Sequence, residues 1–211
     1  MNPGLLGLIA ALCWGTGDFA ARYMSRAIGP AQTLLVLSGV SALGLTPLAL
    51  SSGVERLWEP TTFVLTVFSG IGTTVAGLLL YKSLAQGPLG IVVPVTSSYP
   101  LPLVLTVMVM GELTLTLPLA AAMAATIGGV WVVARAGRKV DYHDDHARGV
   151  LNHSMMLAGS AAGVFAIAIL VTEAAVSRSG EVEVIWFSRI VEFLILSIAL
   201  LGRSKLKPIS H

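Results

Sequence analysis

Residues 63–84 read FVLTVFSGIGTTVAGLLLYKSL. The run carries a single charge, Lys82, and that charge stands near its end. A helix built from it has no polar face to turn toward water. Twenty-two residues at 1.5 Å each rise about 33 Å, which matches the hydrocarbon thickness of a bilayer. Backbone groups inside hydrocarbon must bond internally, so a helix is the expected form.

Six further runs read the same way. With the first they occupy 5–24, 31–50, 63–84, 90–110, 117–134, 155–172 and 184–201, each 18 to 22 residues long. The expectation is an all-α membrane protein of about seven transmembrane helices. Composition agrees: the 211 residues are 55% hydrophobic and 11% charged, with a mean hydropathy of +0.84. A soluble chain usually carries about a quarter charged residues. Charges here crowd into short breaks between apolar runs, as in a chain that alternates between lipid and water. The net charge of +2 comes without a basic patch interleaved with aromatics, so nucleic acid is not an expected partner. Cys13 stands alone and cannot form an intrachain disulfide. The N-terminal run has full spanning length and no positive region before it, so it reads as a span and not as a cleavable leader.

Lysine and arginine give the sidedness. One side holds Arg22, Arg26, Lys82, Arg135, Arg138, Lys139, Arg148, Arg203, Lys205 and Lys207; the other holds Arg56 and Arg178. Ten against two puts the first set in the cytoplasm and the N-terminus outside, in a plasma or bacterial inner membrane.

The longest hydrophilic break is RAGRKVDYHDDHARG at 135–149. It divides the chain into a five-span unit at 1–135, a connector at 136–149 and a two-span unit at 150–211. A shift of 151 residues sets Gly180 on Gly29 and aligns the helix–short loop–helix rhythm of the second unit with the first. Five spans is an odd number, so the second copy inserts upside down, the inverted-repeat plan of many carriers.

Two stretches carry a family resemblance. LIAALCWGTGDFAARYMSRAIGP at 8–30 has a Trp-Gly pair in its helix and a loop ending in a small residue and proline. YKSLAQGPLGIVVPVTSSYPLPLVLTVMVMGELTLTLPLAAAMAATIGGVWVV at 81–133 has a proline-bearing helix, a turn at Gly111-Glu112 and a small-residue helix ending in Gly-Gly. Both resemble the EamA-type branch of the drug/metabolite transporter superfamily, over about 5–135 and more loosely over 150–200. The resemblance implies a carrier of small metabolites or drugs working by alternating access, not an enzyme, with no cofactor. Members commonly have ten helices, against seven spans here, so a truncated, inactive or partner-dependent half-carrier is the alternative. Asp18 stands where a neutral amide is common in the family.

Asp18 falls four residues after Trp14 and four before Arg22, so the three share a helix face. An ionisable side chain inside a span is a functional candidate, weighed here against an Asp18–Arg22 ion pair near the interface. Gly15-Thr16-Gly17-Asp18 also fits the GxGD pattern of intramembrane aspartyl proteases. That chemistry needs two carboxylates sharing a proton, and the other aspartates, Asp141, Asp144 and Asp145, all fall in the connector. Those residues, with His143 and His146, could be read as a metal cluster; a solvated connector without a rigid frame is the preferred reading, so no metal is expected. Arg189 and Glu192, three residues apart, can form an ion pair within the membrane. Lys82 and Glu112, at span ends, can snorkel to the interface.

Span 4 carries Pro94, Pro100 and Pro102 around Thr96, Ser97, Ser98 and Tyr99. Each proline removes a backbone donor and displaces the carbonyl four residues earlier, so this span is expected to be kinked or locally unwound. Irregular backbone at membrane depth is tolerated where it lines a cavity. Thr96, Ser97 and Tyr99 are therefore expected to face Trp14 and Asp18 across a central substrate cavity. The competing reading has the prolines shaping packing only, with the hydroxyls bonded to their own helix. Small residues recur at Ser69, Thr73 and Gly77, at Ala121, Ala125 and Gly129, and at Gly159 and Gly163. Close helix packing is their main use, and a homodimer face on spans 3, 5 and 6 the other. The expected partners are a small-molecule substrate and the lipid bilayer. The sidedness has a direct test: a reporter active only in cytoplasm, fused at Met1, is expected to stay silent, and an active fusion reverses the orientation.

Overall fold

The computed structural model describes residues 3–111, 113–139 and 145–205. The protein is an all-α membrane protein, and no strand occurs among the described residues. Its helices are α1 (Pro3–Ala27), α2 (Pro30–Ser52), α3 (Pro60–Gln86), α4 (Leu89–Thr96), α5 (Pro100–Val109), α6 (Leu117–Lys139), α7 (Asp145–Ser179) and α8 (Glu181–Lys205), with a 3₁₀ turn at Glu55–Trp58. The seven expected spans correspond to these elements, with α4 and α5 sharing the fourth. Five segments are both long and apolar enough to cross a membrane: Pro30–Ser52, Pro60–Gln86, Leu89–Val109, Gly149–Ser179 and Glu181–Gly202. The helices α1 and α6 fall outside that group, α6 contributing a shorter apolar stretch at Leu117–Val133, so the count of seven is approximate.

The hydrophilic stretch at 135–149 differs from a simple connector. The first of its helices, α6, continues to Lys139, and α7 starts at Asp145. Charged residues are good helix formers, and nothing before Val140 breaks the ladder. At 35 residues, α7 is about 52 Å long and outreaches the hydrocarbon. Asp141, His143 and Asp144 lie outside the described residues, as does Glu112.

The packing centres on α3, which lies antiparallel along α7. Three contacts fix the register from one end to the other. Ser83 Oγ donates to the Ser154 carbonyl at 2.7 Å, Gly72 lies against Ala168, and the Ser69 and Thr172 hydroxyls meet at 2.6 Å. Small side chains permit this approach, and lipid offers no hydrophobic drive to replace it. The other face of α3 takes α8, where Gly70 meets Val191, and α2, where Gly77 meets Leu34. The Ser69, Thr73 and Gly77 stripe is thus internal to the bundle. Its first use, close packing, is met at Ser69 and Gly77, which touch Thr172 and Leu34.

The second major pair is α2 with α8, also antiparallel: Trp186 Nε1, early in α8, donates to Thr46 Oγ1, late in α2, at 3.0 Å. The turns that precede these two helices are alike. Gly29 has φ 98° before α2 and Gly180 has φ 134° before α8; these left-handed values suit glycine and let one residue reverse the chain. At the end of α3, Arg26 Nε donates to the Ala85 carbonyl at 3.1 Å, using a cation to satisfy a C-terminal acceptor.

Two apolar cores cap the bundle. One joins Ala21, Leu80, Leu84, Val92, Ala158 and Ala161. The other joins Leu57, Ala175 and Val184, with Trp186 and Phe187 packed on it; Phe63 and Phe187 ring centroids are 5.5 Å apart there.

A methyl group at Gly70 would lie 2.8 Å from Val191 Cβ and Cγ1 and 3.1 Å from the Ser188 carbonyl. Gly70→Ala is therefore expected to destabilise the protein by about 2 kcal/mol through overpacking. Gly163→Ala, with nothing within 4 Å, serves as the neutral control. Thermal unfolding of both variants in detergent, read by intrinsic fluorescence, checks the difference.

Candidate substrate cavity

The fourth span breaks between Thr96 and Pro100. Pro94, Pro100 and Pro102 cannot donate to the carbonyls of Gly90, Thr96 and Ser98. The residue before each of the last two prolines takes over: Tyr99 N bonds Thr96 O at 3.2 Å and Leu101 N bonds Ser98 O at 2.9 Å. These are three-residue closures, tighter than an α-helix, and they wind the backbone into turns at 97–99. Two hydroxyls add to this. Thr96 Oγ1 donates to Val92 O at 3.0 Å, and Ser98 Oγ donates to Val95 O at 2.7 Å.

A cavity of about 220 Å³ opens beside this break. Trp14, Asp18, Thr96, Ser97 and Tyr99 all line it, so the structure brings the five sequence-selected residues together. Their states differ. Thr96 is buried with its proton committed to Val92, which leaves its lone pairs for a guest. Ser97 Oγ and the Tyr99 hydroxyl bond to no group among the described residues; the Tyr99 ring lies 6.2 Å from Phe165. Trp14 is 67% exposed at the rim. Asp18 is half-buried and makes no ion pair or hydrogen bond among the described residues, so the Asp18–Arg22 pair does not form. The GxGD segment lies inside the unbroken α1, with Thr16 Oγ1 bonded back to Leu12 O at 2.8 Å.

Sequence reasoning missed the opposite wall apart from Arg189, which it read only as half of an ion pair. There α3, α7 and α8 contribute Ser69, Thr73, Leu80, Phe165, Ile169, Thr172, Ile185, Ser188 and Arg189. The Ser69–Thr73 spacing was visible but served equally well as a packing signal. Three hydroxyls there form a directed chain. Ser188 Oγ donates to Ser69 Oγ at 3.4 Å; Thr172 Oγ1 donates to Ala168 O at 2.7 Å, so in the Ser69–Thr172 contact Ser69 is the donor. Arg189 Nη1 donates to Glu192 Oε2 at 2.6 Å. Glu192 is fully buried while the Arg189 side chain is 35% exposed, and Glu192 Oε1 has no partner among the described residues. A second cavity of about 300 Å³ adjoins, sharing Trp14, Asp18 and Arg189 and adding Cys13, Leu34, Leu37, Ser41 and Tyr81.

Long apolar helices around a cavity at a broken span describe a multi-pass membrane transporter. The EamA-like transporter family model matches residues 2–135, and the chain belongs to that family. Searches of curated proteins and of solved structures give no match. Membership places the chain among the drug/metabolite transporters, with a small-molecule substrate and the lipid bilayer as its partners.

Removing one member of a buried ion pair leaves the other uncompensated. Glu192→Leu is expected to cost about 3 kcal/mol, and most of that should return in the double variant with Arg189→Met. Unfolding midpoints of the single and double variants in detergent measure the recovery.

Proposed function

We propose that the protein carries small metabolites or drugs across the cell membrane by alternating access around the cavity at the break in span 4. One observation carries this reading: the hydroxyls of Ser97 and Tyr99 and the Asp18 carboxylate, all unpaired among the described residues, and the Trp14 indole line one partly open cavity. In this scheme Asp18 binds a cationic group or a coupling proton, Trp14 stacks on the substrate, and the span 4 hydroxyls fix its orientation. Apolar walls with a few placed polar groups are what small-molecule sites have in common.

The proposed plan is a five-helix repeat at 1–135, the stretch at 136–149, and the opening two helices of an inverted second repeat at 150–211. The paired turns at Gly29 and Gly180 and the antiparallel packing of α2 on α8 support it, since those helices correspond under the 151-residue shift. The basic ends face the cytoplasm in this arrangement, with the N-terminus outside.

A second reading makes the chain a half-carrier that works with a partner, the simplest being a second copy. Its support is the open space beside Gly15 and Gly17 in α1 and beside Gly128 and Gly129 in α6, none of which has an atom of another element within 4 Å of an added Cβ. Native mass measurement separates the readings: transport by a monomer removes the second.

Transport of a panel of small metabolites and drugs into proteoliposomes tests the site. Asp18→Asn is expected to lower transport by about tenfold. Tyr99→Phe and Ser97→Ala, each losing one hydrogen-bonding group worth about 1 kcal/mol, are expected to lower it severalfold. If all three, inserted at normal levels, keep wild-type transport and affinity, the substrate binds elsewhere.

A further inference from the structure

Two opposite charges line the cavity without meeting. Asp18 and Arg189 both stand on its wall and on that of the adjoining cavity, yet no ion pair joins them among the described residues. Arg189 is held instead by Glu192, three residues along the same helix and outside the cavity lining. Opposite charges close together in a medium of low dielectric attract strongly. With Arg189 bonded to Glu192 and Asp18 unpaired among the described residues, both side chains are presented to whatever occupies the cavity.

Arg189 still has donors to offer. A guanidinium carries five N–H groups in a planar fork, and its hydrogen bond to Glu192 uses one of them. The neighbouring hydroxyls do not compete for this role, because the protons of Ser188, Ser69 and Thr172 are spent along their own chain. Arg189 is therefore the strong donor of that wall. Glu192 weakens its field, but at contact distance the nearer guanidinium dominates because the interaction falls with distance.

A ligand with a lone cationic group gains at Asp18 and loses at Arg189. One with a lone anionic group does the reverse, and one with both gains at each wall. We propose that the cavity selects zwitterions. Asp18 takes the cationic group; Arg189, oriented by Glu192, takes the anionic group; and the apolar surface of Leu80, Phe165 and Ile169 takes the body that joins them. This inference rests on the reading of the cavity as the substrate site and adds the chemical class of the substrate.

Four probes with one six-carbon body test it by calorimetric binding to the protein in detergent: 2-aminohexanoate, 6-aminohexanoate, hexylamine and hexanoate. The two zwitterions differ in charge spacing, so the experiment also reads the separation the walls accept. At least one zwitterion is expected to bind about tenfold or more tightly than both singly charged probes. In Arg189→Met/Glu192→Leu, which leaves no uncompensated charge behind, hexylamine should bind as well as the preferred zwitterion. In Asp18→Asn, which keeps the Arg189–Glu192 pair, hexanoate should do so. Wild-type binding of hexylamine or hexanoate as tight as either zwitterion overturns the inference, as does a zwitterion preference that survives in both variants. Failure of all four probes to bind also overturns it. Transport by the Tyr99→Phe, Ser97→Ala and Asp18→Asn variants then decides separately whether the cavity is the site at all.

Discussion

A backbone carbonyl in hydrocarbon has no water to bond, and a proline four residues ahead takes away its donor. The fourth span contains three such prolines, and the structure answers by handing the Thr96 and Ser98 carbonyls to the N–H groups of Tyr99 and Leu101. Shifting from four-residue to three-residue closures tightens the turn and ends α4 at Thr96. Beside the break the hydroxyls of Ser97 and Tyr99 bond to no group among the described residues, although Ser97 N still bonds Val93 O and Leu103 N bonds Tyr99 O. A cavity there follows from the same accounting, because polar side chains without partners are poorly accommodated against lipid. The hydroxyls divide by position: Thr96 and Ser98 support the turn, while Ser97 and Tyr99 face the open volume.

Holding a cavity open in a bundle requires that the surrounding helices be fixed by other means. That task falls to α3, which touches α2, α7 and α8 through glycine, serine and alanine. Along α3 and α7 the cavity residues Ser69, Thr73, Phe165 and Thr172 fall between two apolar cores, one around Leu84 and Ala158 and the other around Leu57 and Ala175. The cores brace both ends, and the hydroxyl chain from Ser188 to Ala168 O ties three helices across the middle. Dispersion between closely approaching backbones and a few buried hydrogen bonds replace the hydrophobic drive of a soluble core.

The spans themselves were legible from apolar runs alone, because bilayer thickness dictates helix length and no other physical constraint produces such runs repeatedly. The break in span 4 was legible for the same reason, since proline acts locally. The connector was less so: a polar composition marks the exit from lipid but does not end a helix, and α6 and α7 extend into it, up to Lys139 and from Asp145. Small residues were the most ambiguous. Gly70 and Gly77 are in tight contact with neighbouring helices, while Gly129 and Gly163 are open, and spacing cannot tell which neighbour a stripe will meet. The cavity wall built by α3, α7 and α8 escaped notice because its polar members, Ser69 and Thr172, have little local signature; they become a site only when antiparallel packing brings them together.

The packing also divides the cavity into two walls of unequal firmness. On one side α3, α7 and α8 interlock through Ser69, Thr172, Ser188 and the Arg189–Glu192 pair. On the other, α1 contributes Trp14 and Asp18 from a helix whose Gly15 and Gly17 have no close neighbour, and span 4 contributes a stretch with weakened helical bonding. Elements with few close contacts open at low free energy, whereas interlocked ones move as a body. The proposed alternating access needs one wall to shift relative to the other while the site stays intact, and this arrangement would separate those duties. The fixed wall carries Arg189, oriented by Glu192 within its own helix and with N–H groups left over. The other wall carries Asp18, whose carboxylate has no partner among the described residues. An occupant that satisfies Asp18 lowers the cost of enclosing it, so closure of the loose side and binding are favoured by the same contact.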